Sequence, residues 1–381
     1  MKRIYLDNAA TTAIHPEVQE VMIRALQEDF GNPSSIHAEG RKVRAHIEAA
    51  RKTVARYLNA SIGEIFFTSG GTESNNTALK CAVRDLGIKR IISSSIEHHC
   101  VLHTLEHLHN NYGTEIVFLD VDHRGRLDLN HLSALLQVSD SKTLVSIMHA
   151  NNEIGTLNDI EQIAEICKEF DALFHSDTVQ TIGHFPIDLQ KTPVHFISGA
   201  AHKFEGPKGV GFLYINNACQ IKPFIDGGSQ ERNMRGGTEN VYGILGLAKA
   251  LSITYDNRET HQAHIESLRK YLMQSILDNF ENVQINGDYD GKYLYTVLNV
   301  SFPPSDKSEL LLFNLDIAGI SVSGGSACSS GADKGSHVID AIGVAADRKN
   351  IRFSFSHHNT MEEMDFVMEK LKAIIPALAH A

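Results

Sequence analysis

Lys203 stands in Ser198-Gly-Ala-Ala-His-Lys203-Phe-Glu-Gly-Pro-Lys208-Gly, directly after a run that reads as a buried strand. A lysine held in apolar surroundings with a depressed pKa can attack a carbonyl carbon and form a Schiff base. Most lysines are solvated surface groups, so one lysine in such a place does not establish the chemistry; Lys208, in a Gly-Pro-Lys-Gly turn, is the weaker candidate. Thr68-Ser-Gly-Gly-Thr-Glu73 lies between a strand-like and a helix-like segment. Its glycines let the backbone approach an anion, and a helix start offers free N–H groups and the positive end of the dipole. It lacks the Lys-Ser/Thr ending of a P-loop and the spacing of a dinucleotide fingerprint, and a tight turn capped by Thr72 accounts for it equally well. Asp177 and Gln180 follow the strand-like Ala172–His175, where ligands of open parallel sheets bind, although Asp177 taken alone reads first as a turn or cap residue. Cys328 sits among small residues in Ser323-Gly-Gly-Ser-Ala-Cys-Ser-Ser-Gly331, a setting from which a thiolate can reach a target; an ordinary loop cysteine is the other reading. Cys81, Cys100, Cys167 and Cys219 lie in helical or apolar contexts and read as inert small hydrophobes. His99, His103 and His107 share a helix face without the partners that support a metal site, and His357-His358 reads as an ordinary loop; no metal site is expected.

The elements that must position these residues alternate. Helices are expected over Pro16–Phe30 and His37–Leu58, from apolar spacing and, in the first, a proline at its start. Strand-like segments follow at Ile65–Thr68, Arg90–Ser93, Glu115–Leu119, Thr143–Met148, Ala172–His175, Phe196–Ser198 and Gly209–Ile215. Between the early ones fall helical patterns at Thr72–Arg84, Val101–Asn110, Leu129–Val138 and Ile160–Phe170. This alternation predicts an α/β fold with a mostly parallel seven-stranded sheet covered by helices on both faces. After about residue 256 the pattern changes to a polar helix at His261–Phe280, strands near Val283–Ile285 and Tyr293–Phe302, a helix at Lys307–Ile317, a Gly/Ser-rich loop, a strand at Asn350–Ser354 and a terminal helix. The expected division is a large domain over 15–255 and a smaller α+β domain from 1–14 and 256–381, carrying the cysteine loop at about 321–335.

Composition narrows the class. The chain has 381 residues, 42% hydrophobic and 21% charged, which suffices for a core without staples and excludes collagen-like or disordered chains. The formal charge of −11 argues against a nucleic-acid partner. Five scattered cysteines with no CxxC pair argue against a disulfide framework, and a reducing cytoplasm is the expected compartment. The start, MKRIYLDNAATT, lacks the apolar run of a signal peptide, and no stretch of about 18 apolar residues predicts a membrane span.

Taken in order, the motifs resemble the cysteine desulfurases of the nitrogenase and iron–sulfur assembly type, in the class V aminotransferase superfamily of pyridoxal-phosphate enzymes. The resemblance runs from Tyr5-Leu-Asp-Asn-Ala-Ala-Thr-Thr through Gly31-Asn-Pro-Ser-Ser-Ile-His37, Thr68-Ser-Gly-Gly-Thr-Glu-Ser and Glu97-His98. It continues through His149-Ala-Asn-Asn-Glu-Ile-Gly155, His175-Ser-Asp-Thr-Val-Gln180, His202-Lys203 with Gly206-Pro-Lys-Gly, Gly236-Gly-Thr-Glu-Asn240 and Gly325-Ser-Ala-Cys-Ser-Ser-Gly331. Each piece is weak alone, and nine in the right order are highly specific. The resemblance implies the fold type I architecture of that superfamily, with pyridoxal 5'-phosphate as cofactor and L-cysteine as substrate. Residue by residue it makes Lys203 the Schiff-base lysine, Asp177 the partner of the ring nitrogen, and His98 the imidazole stacked on the ring. It places Gln180 and Asn152 around the ring hydroxyl and Gly71, Thr72 and His202 at the phosphate. Thr238 would reach that phosphate from a second subunit of a homodimer. Arg352, Asn32 and Asn152 would meet the substrate carboxylate.

Cys328 matches the sulfur-accepting nucleophile, in a segment like that of the group with an extended loop. The implied reaction converts L-cysteine to L-alanine and a persulfide on Cys328, whose sulfur passes to an acceptor protein for iron–sulfur assembly or thiolation. Two residues depart from the family pattern. Ala200 replaces a phosphate-binding serine, a loss of roughly 1.5–3 kcal/mol if nothing compensates, and His195 replaces an aspartate. The alternatives are another enzyme of this fold, such as a selenocysteine lyase or aminotransferase, and a catalytically silent sulfur-assembly subunit.

Overall fold

A computed structural model describes residues 3–305, 308, 310–324 and 335–375. Its central sheet joins seven strands: β2 (Ile65–Thr68), β3 (Arg90–Ser94), β4 (Glu115–Leu119), β5 (Thr143–Ser146), β6 (Leu173–Asp177), β7 (Phe196–Ala200) and β8 (Gly211–Ile215), while β1 (Ile4–Tyr5) lies elsewhere. Their order is β2-β8-β7-β6-β5-β3-β4. β8 pairs antiparallel with both β2 and β7, and the pairs from β7 across to β4 are parallel. Alternate residues of each strand face opposite sides, and the two cores follow that period. Ile65, Phe67, Ile92, Val145, Phe174, Ile197 and Phe212 belong to one apolar cluster. Their neighbours Phe66, Ile91, Leu144, Phe196 and Leu213 belong to the other.

The first cluster is covered by helices α1 (Pro16–Glu28) and α2 (Ala38–Tyr57), by α5 (Leu129–Gln137) and α6 (Ile160–Glu169), and by the more apolar Val241–Asp256; the second is covered by α3 (Gly71–Leu86) and α4 (His99–Tyr112). α1 stops two residues short of the expected Phe30, because the Asp29 N–H closes the last turn on the Ala25 carbonyl. β6 runs two residues past the expected His175, so Asp177 is its last residue rather than the start of the turn.

A third cluster, centred on a separate sheet, gathers Ile4 and Leu6 with residues from Ile265 to Ile375. β9 (Gln284–Asn286), β10 (Val297–Phe302) and β12 (Lys349–Ser354) form an antiparallel three-stranded sheet, and β1 pairs parallel with β11 (Ile320–Ser321). β10 starts at Val297 rather than Tyr293, since the Val297 N–H turns back on the Leu294 carbonyl. That short β1–β11 pair carried no periodic signal of its own. It brings the chain's first residues beside β12.

Candidate functional site

The carboxyl edge of the central sheet collects most of the sequence-predicted residues. After β3 the chain moves outward to β4 and returns on the other side of β3 as β5, so strand order reverses there and a crevice opens. A cavity of about 270 Å³ occupies this edge. Gly71, Thr72, His98, Asn152, Asp177, Gln180, His202, Lys203 and Arg352 all line it, together with Ala200, Asn75, Cys100 and His337.

Lys203 closes a single 3-10 turn (Ala201–Lys203) that leaves β7. Its Nζ donates to the carbonyls of Ala9 and Ala10 at 2.6 and 2.8 Å. Gln180 Nε2 donates to the same Ala9 carbonyl at 3.0 Å. The N-terminal segment therefore supplies the resting acceptors of the lysine.

Asp177 is buried, and its Oδ2 accepts from Asn75 Nδ2 at 2.7 Å. Asn75 Oδ1 lies 3.1 Å from His175 Nε2, and His175 Nδ1 lies 2.9 Å from Ser146 Oγ. Burial pushes the His175 pKa down to about 4, so the ring is neutral near pH 7. With Nε2 donating to Asn75, the Ser146 hydroxyl donates to Nδ1. This buried relay fixes the carboxylate through Asn75, which no sequence motif singled out. Its signal is the position itself, one helical turn after Gly71 on the face of α3 turned to the sheet.

His98 is the N-cap of α4: its Nδ1 accepts the Cys100 N–H at 3.1 Å and lies 3.0 Å from Cys100 Sγ. Burial is the largest cause lowering the His98 pKa, and the Lys203 charge adds to it. The neutral ring therefore carries its proton on Nε2. Cys100 belongs to the site's wall rather than to an inert interior, because it falls in the first turn of α4, which borders the cavity. Burial pushes its thiol pKa up to about 12, so it stays protonated and serves as a donor, not a nucleophile. Glu97, just before His98, is fully enclosed; its Oε1 accepts from Met148 N–H at 2.8 Å and from Ser94 Oγ at 3.0 Å. Burial raises its pKa to about 8.

Gly71 and Thr72 open α3 with no side-chain cap, leaving first-turn N–H groups free for an anion. A Cβ on Gly71 would come within 2.5 Å of Val179 Cγ2, so glycine is required by contact. His202 Nδ1 lies 3.3 Å from Thr11 Oγ1. Burial, with the Lys203 and Lys208 charges, lowers the His202 pKa to about 4. A helix N-terminus, Thr72 and an imidazole between two lysines form a cradle suited to a phosphate.

Arg352, on β12, is buried; Nη1 donates to the Asn152 carbonyl at 2.9 Å and Nη2 to Asp7 Oδ1 at 2.8 Å. Its buried Nε has no hydrogen-bond partner among the described residues, which leaves a donor for an incoming carboxylate. Amine, phosphate cradle, buried carboxylate and guanidinium together fit a phosphorylated aromatic aldehyde and an amino acid.

Three expected residues stand apart. Asn32 is exposed in the loop between α1 and α2, where its Oδ1 accepts the Ser34 N–H, and it does not line the cavity. Thr238 is exposed and borders a different cavity with Ser69 and Gly237. Cys328 lies outside the described residues. His195 turns out to sit away from the site: it accepts the Phe174 N–H at 3.0 Å and so joins two strand starts. Ala200 lines the cavity with a methyl group and offers no hydroxyl.

The family model "Aminotransferase class-V" matches residues 4–367. Cysteine desulfurase IscS of Dictyoglomus turgidum is 44% identical, over 99% of this chain and 96% of its own length. Cysteine desulfurase IscS of Methanosarcina thermophila is 43% identical, over 100% of this chain and 93% of its own. Among solved structures, a NifS-like protein superposes with a TM-score of 0.90 at 39% identity, covering 98% of this chain and 99% of that one. A structure of SspA in complex with cysteine gives a TM-score of 0.81 at 31% identity, covering 94% and 100%. With the match spanning both cores and every strand that feeds the cavity, this chain belongs to the class V aminotransferase family, in its cysteine desulfurase branch.

Proposed function

We propose that this chain is a pyridoxal-phosphate-dependent cysteine desulfurase that turns L-cysteine into L-alanine and leaves the sulfur as a persulfide on Cys328. The observation that carries the reading is the meeting of Lys203, Asp177, His98 and Arg352 around one cavity. Pyridoxal phosphate, when bound, supplies an aldehyde for the amine and a ring that stores the electrons released at Cα. Gly71, Thr72 and His202 are assigned to its phosphate, Asp177 to its ring nitrogen, and Gln180 and Asn152 to its hydroxyl edge.

Arg352 orients the substrate by its carboxylate, with Nε as the unoccupied donor. The Lys203 amine takes the Cα proton and returns one to the product. His98 offers its Nε2–H toward the sulfur. The Cys328 thiolate attacks the substrate sulfur: a sulfur–sulfur bond forms, the Cβ–sulfur bond breaks, and alanine leaves after protonation. Both described ends of the segment bearing Cys328 support this assignment. Ser323 pairs with Arg352 through two backbone hydrogen bonds, and His337 lines the cavity.

Residues 15–255 are assigned to a cofactor-binding unit and 1–14 with 256–381 to a smaller one. A homodimer accounts for the exposed Thr238, which would complete the cradle of the other subunit. The sulfur acceptor is a second protein, and the setting is the cytoplasm; no described helix is long and apolar enough to cross a membrane.

Purified protein loaded with the cofactor and given L-cysteine should release alanine and carry an alkylatable persulfide. Cys328→Ala should keep the yellow absorbance and lose the persulfide. Lys203→Ala should lose that absorbance's amine-linked band. Undiminished alanine release by Cys328→Ala would overturn its role.

A further inference from the structure

Away from the catalytic cavity, Glu205 meets a pair of histidines from a distant loop. Glu205 follows Lys203 by two residues and is held in a left-handed backbone conformation (φ 64°), costly for a residue with a side chain. Neighbours pin it there: its N–H donates to Thr12 Oγ1 at 2.8 Å and its carbonyl accepts from the His15 N–H at 3.0 Å. The side chain is 7% exposed. His357 and His358 lie in the loop between β12 and the last described helix (Met361–Ile374), which Asn359 braces by accepting the Ser356 N–H at 2.9 Å. His357 Nδ1 is 3.1 Å and His358 Nε2 3.4 Å from the same oxygen, Glu205 Oε1. The other oxygen, Oε2, is buried with no hydrogen-bond partner among the described residues. His261 stacks on His357, ring centroids 3.9 Å apart and 5° from parallel, and fixes that ring's plane.

We propose that Glu205, His357 and His358 form a binding site for a first-row divalent transition ion, zinc being the natural occupant. The three ligand atoms lie within 4.8 Å of one another. Bonds of about 2.0–2.2 Å in a tetrahedron put neighbouring ligand atoms about 3.3–3.6 Å apart, close to the spacing seen. Two imidazoles and one carboxylate suit zinc, cobalt or nickel and are a poor set for calcium or magnesium, which take oxygen ligands. An ion here replaces the shared Glu205 Oε1–imidazole contacts with direct ligation, and the half-open face at His358, 52% exposed, leaves room for water as a further ligand. It also ties the turn that carries Lys203 to the loop that follows Arg352. The site stands independently of the proposed reaction.

The test uses chelator-treated, cofactor-loaded protein titrated with zinc by calorimetry, in the natural sequence and in Cys328→Ala, so that thiolate binding is separated. One equivalent per chain is expected in both, with a rise in the thermal unfolding midpoint. His358→Ala and Glu205→Gln should each weaken binding by about 100-fold and abolish the rise. His357→Ala should do the same, and the exposed His358 remains the decisive variant if His357→Ala fails to fold. Binding that vanishes in Cys328→Ala, that ignores His358→Ala, or that is weaker than about 1 mM overturns the proposal.

Discussion

Asn75 shows how one amide side chain fixes the buried carboxylate proposed to meet the cofactor ring. It is wedged between Asp177 and His175, donating to one and accepting from the other. Asn75→Ala removes a hydrogen bond to a charged group, a loss of roughly 1.5–3 kcal/mol, so cofactor affinity should fall about 10–100-fold in an absorbance titration. An unchanged affinity would remove Asn75 from the positioning of Asp177. Glu97 makes a different prediction. Its pKa is raised from 4.5 to about 8 by burial, so the folded protein holds a proton there that the unfolded chain has already released. Its contribution is complete below about pH 4.5 and declines as pH rises towards 8, by up to about 1.4 kcal/mol per pH unit. Glu97→Gln keeps the acceptor for Met148 and Ser94 but cannot ionise. Urea unfolding at pH 5 and pH 8.5 should show a smaller decline for the variant; parallel profiles would refute a protonated Glu97. The same neutrality lets an acid sit beside His98 without charging it.

Among elements, α2 and β2 are tied to the segment that carries Thr238 by one buried ion pair. Arg51 donates to Glu231 at 2.6 and 2.9 Å and to the Ile65 carbonyl, while Glu231 Oε2 accepts the Phe67 N–H at 2.8 Å. Glu231 and Arg232 adopt left-handed backbone within the short turn Gln230–Asn233, a conformation that the ion pair helps to hold. Removing one member leaves the other buried and unpaired. Arg51→Met should therefore cost about 3–5 kcal/mol in denaturant unfolding, and proteolysis should begin near residues 229–238. A loss below about 1 kcal/mol would mean that the pair is solvated. Several element boundaries were legible beforehand: Ile65–Thr68 and Glu115–Leu119 match their strands residue for residue. The two-residue strands β1 and β11 were not, because a pair that short has no periodicity to read.

Across the whole molecule, the two ends of the chain meet at the site. Asp7 holds Arg352, and Ala9 and Ala10 hold Lys203, contacts that span 345, 194 and 193 positions. The first dozen residues thus link the central sheet to the three-stranded sheet through the Lys203 and Arg352 side chains. Asp7→Asn weakens the fixing of Arg352 without touching the lysine. The KM for L-cysteine should rise about tenfold while kcat stays within about twofold, since roughly 1.4 kcal/mol of carboxylate orientation is lost. A lower kcat with an unchanged KM would place Asp7 in the chemical step instead. By itself the sequence determined the α/β class, the order of strands and helices, and the residue types around Lys203, Asp177 and His98. Those follow from local periodicity and from motifs short enough to be read along the chain. Only the tertiary structure decided that Asn75 braces Asp177, that Cys100 faces the cavity, and that Glu205 meets His357 and His358. Each of these is a contact between segments far apart in sequence, fixed by how the sheets pack and not by any local pattern.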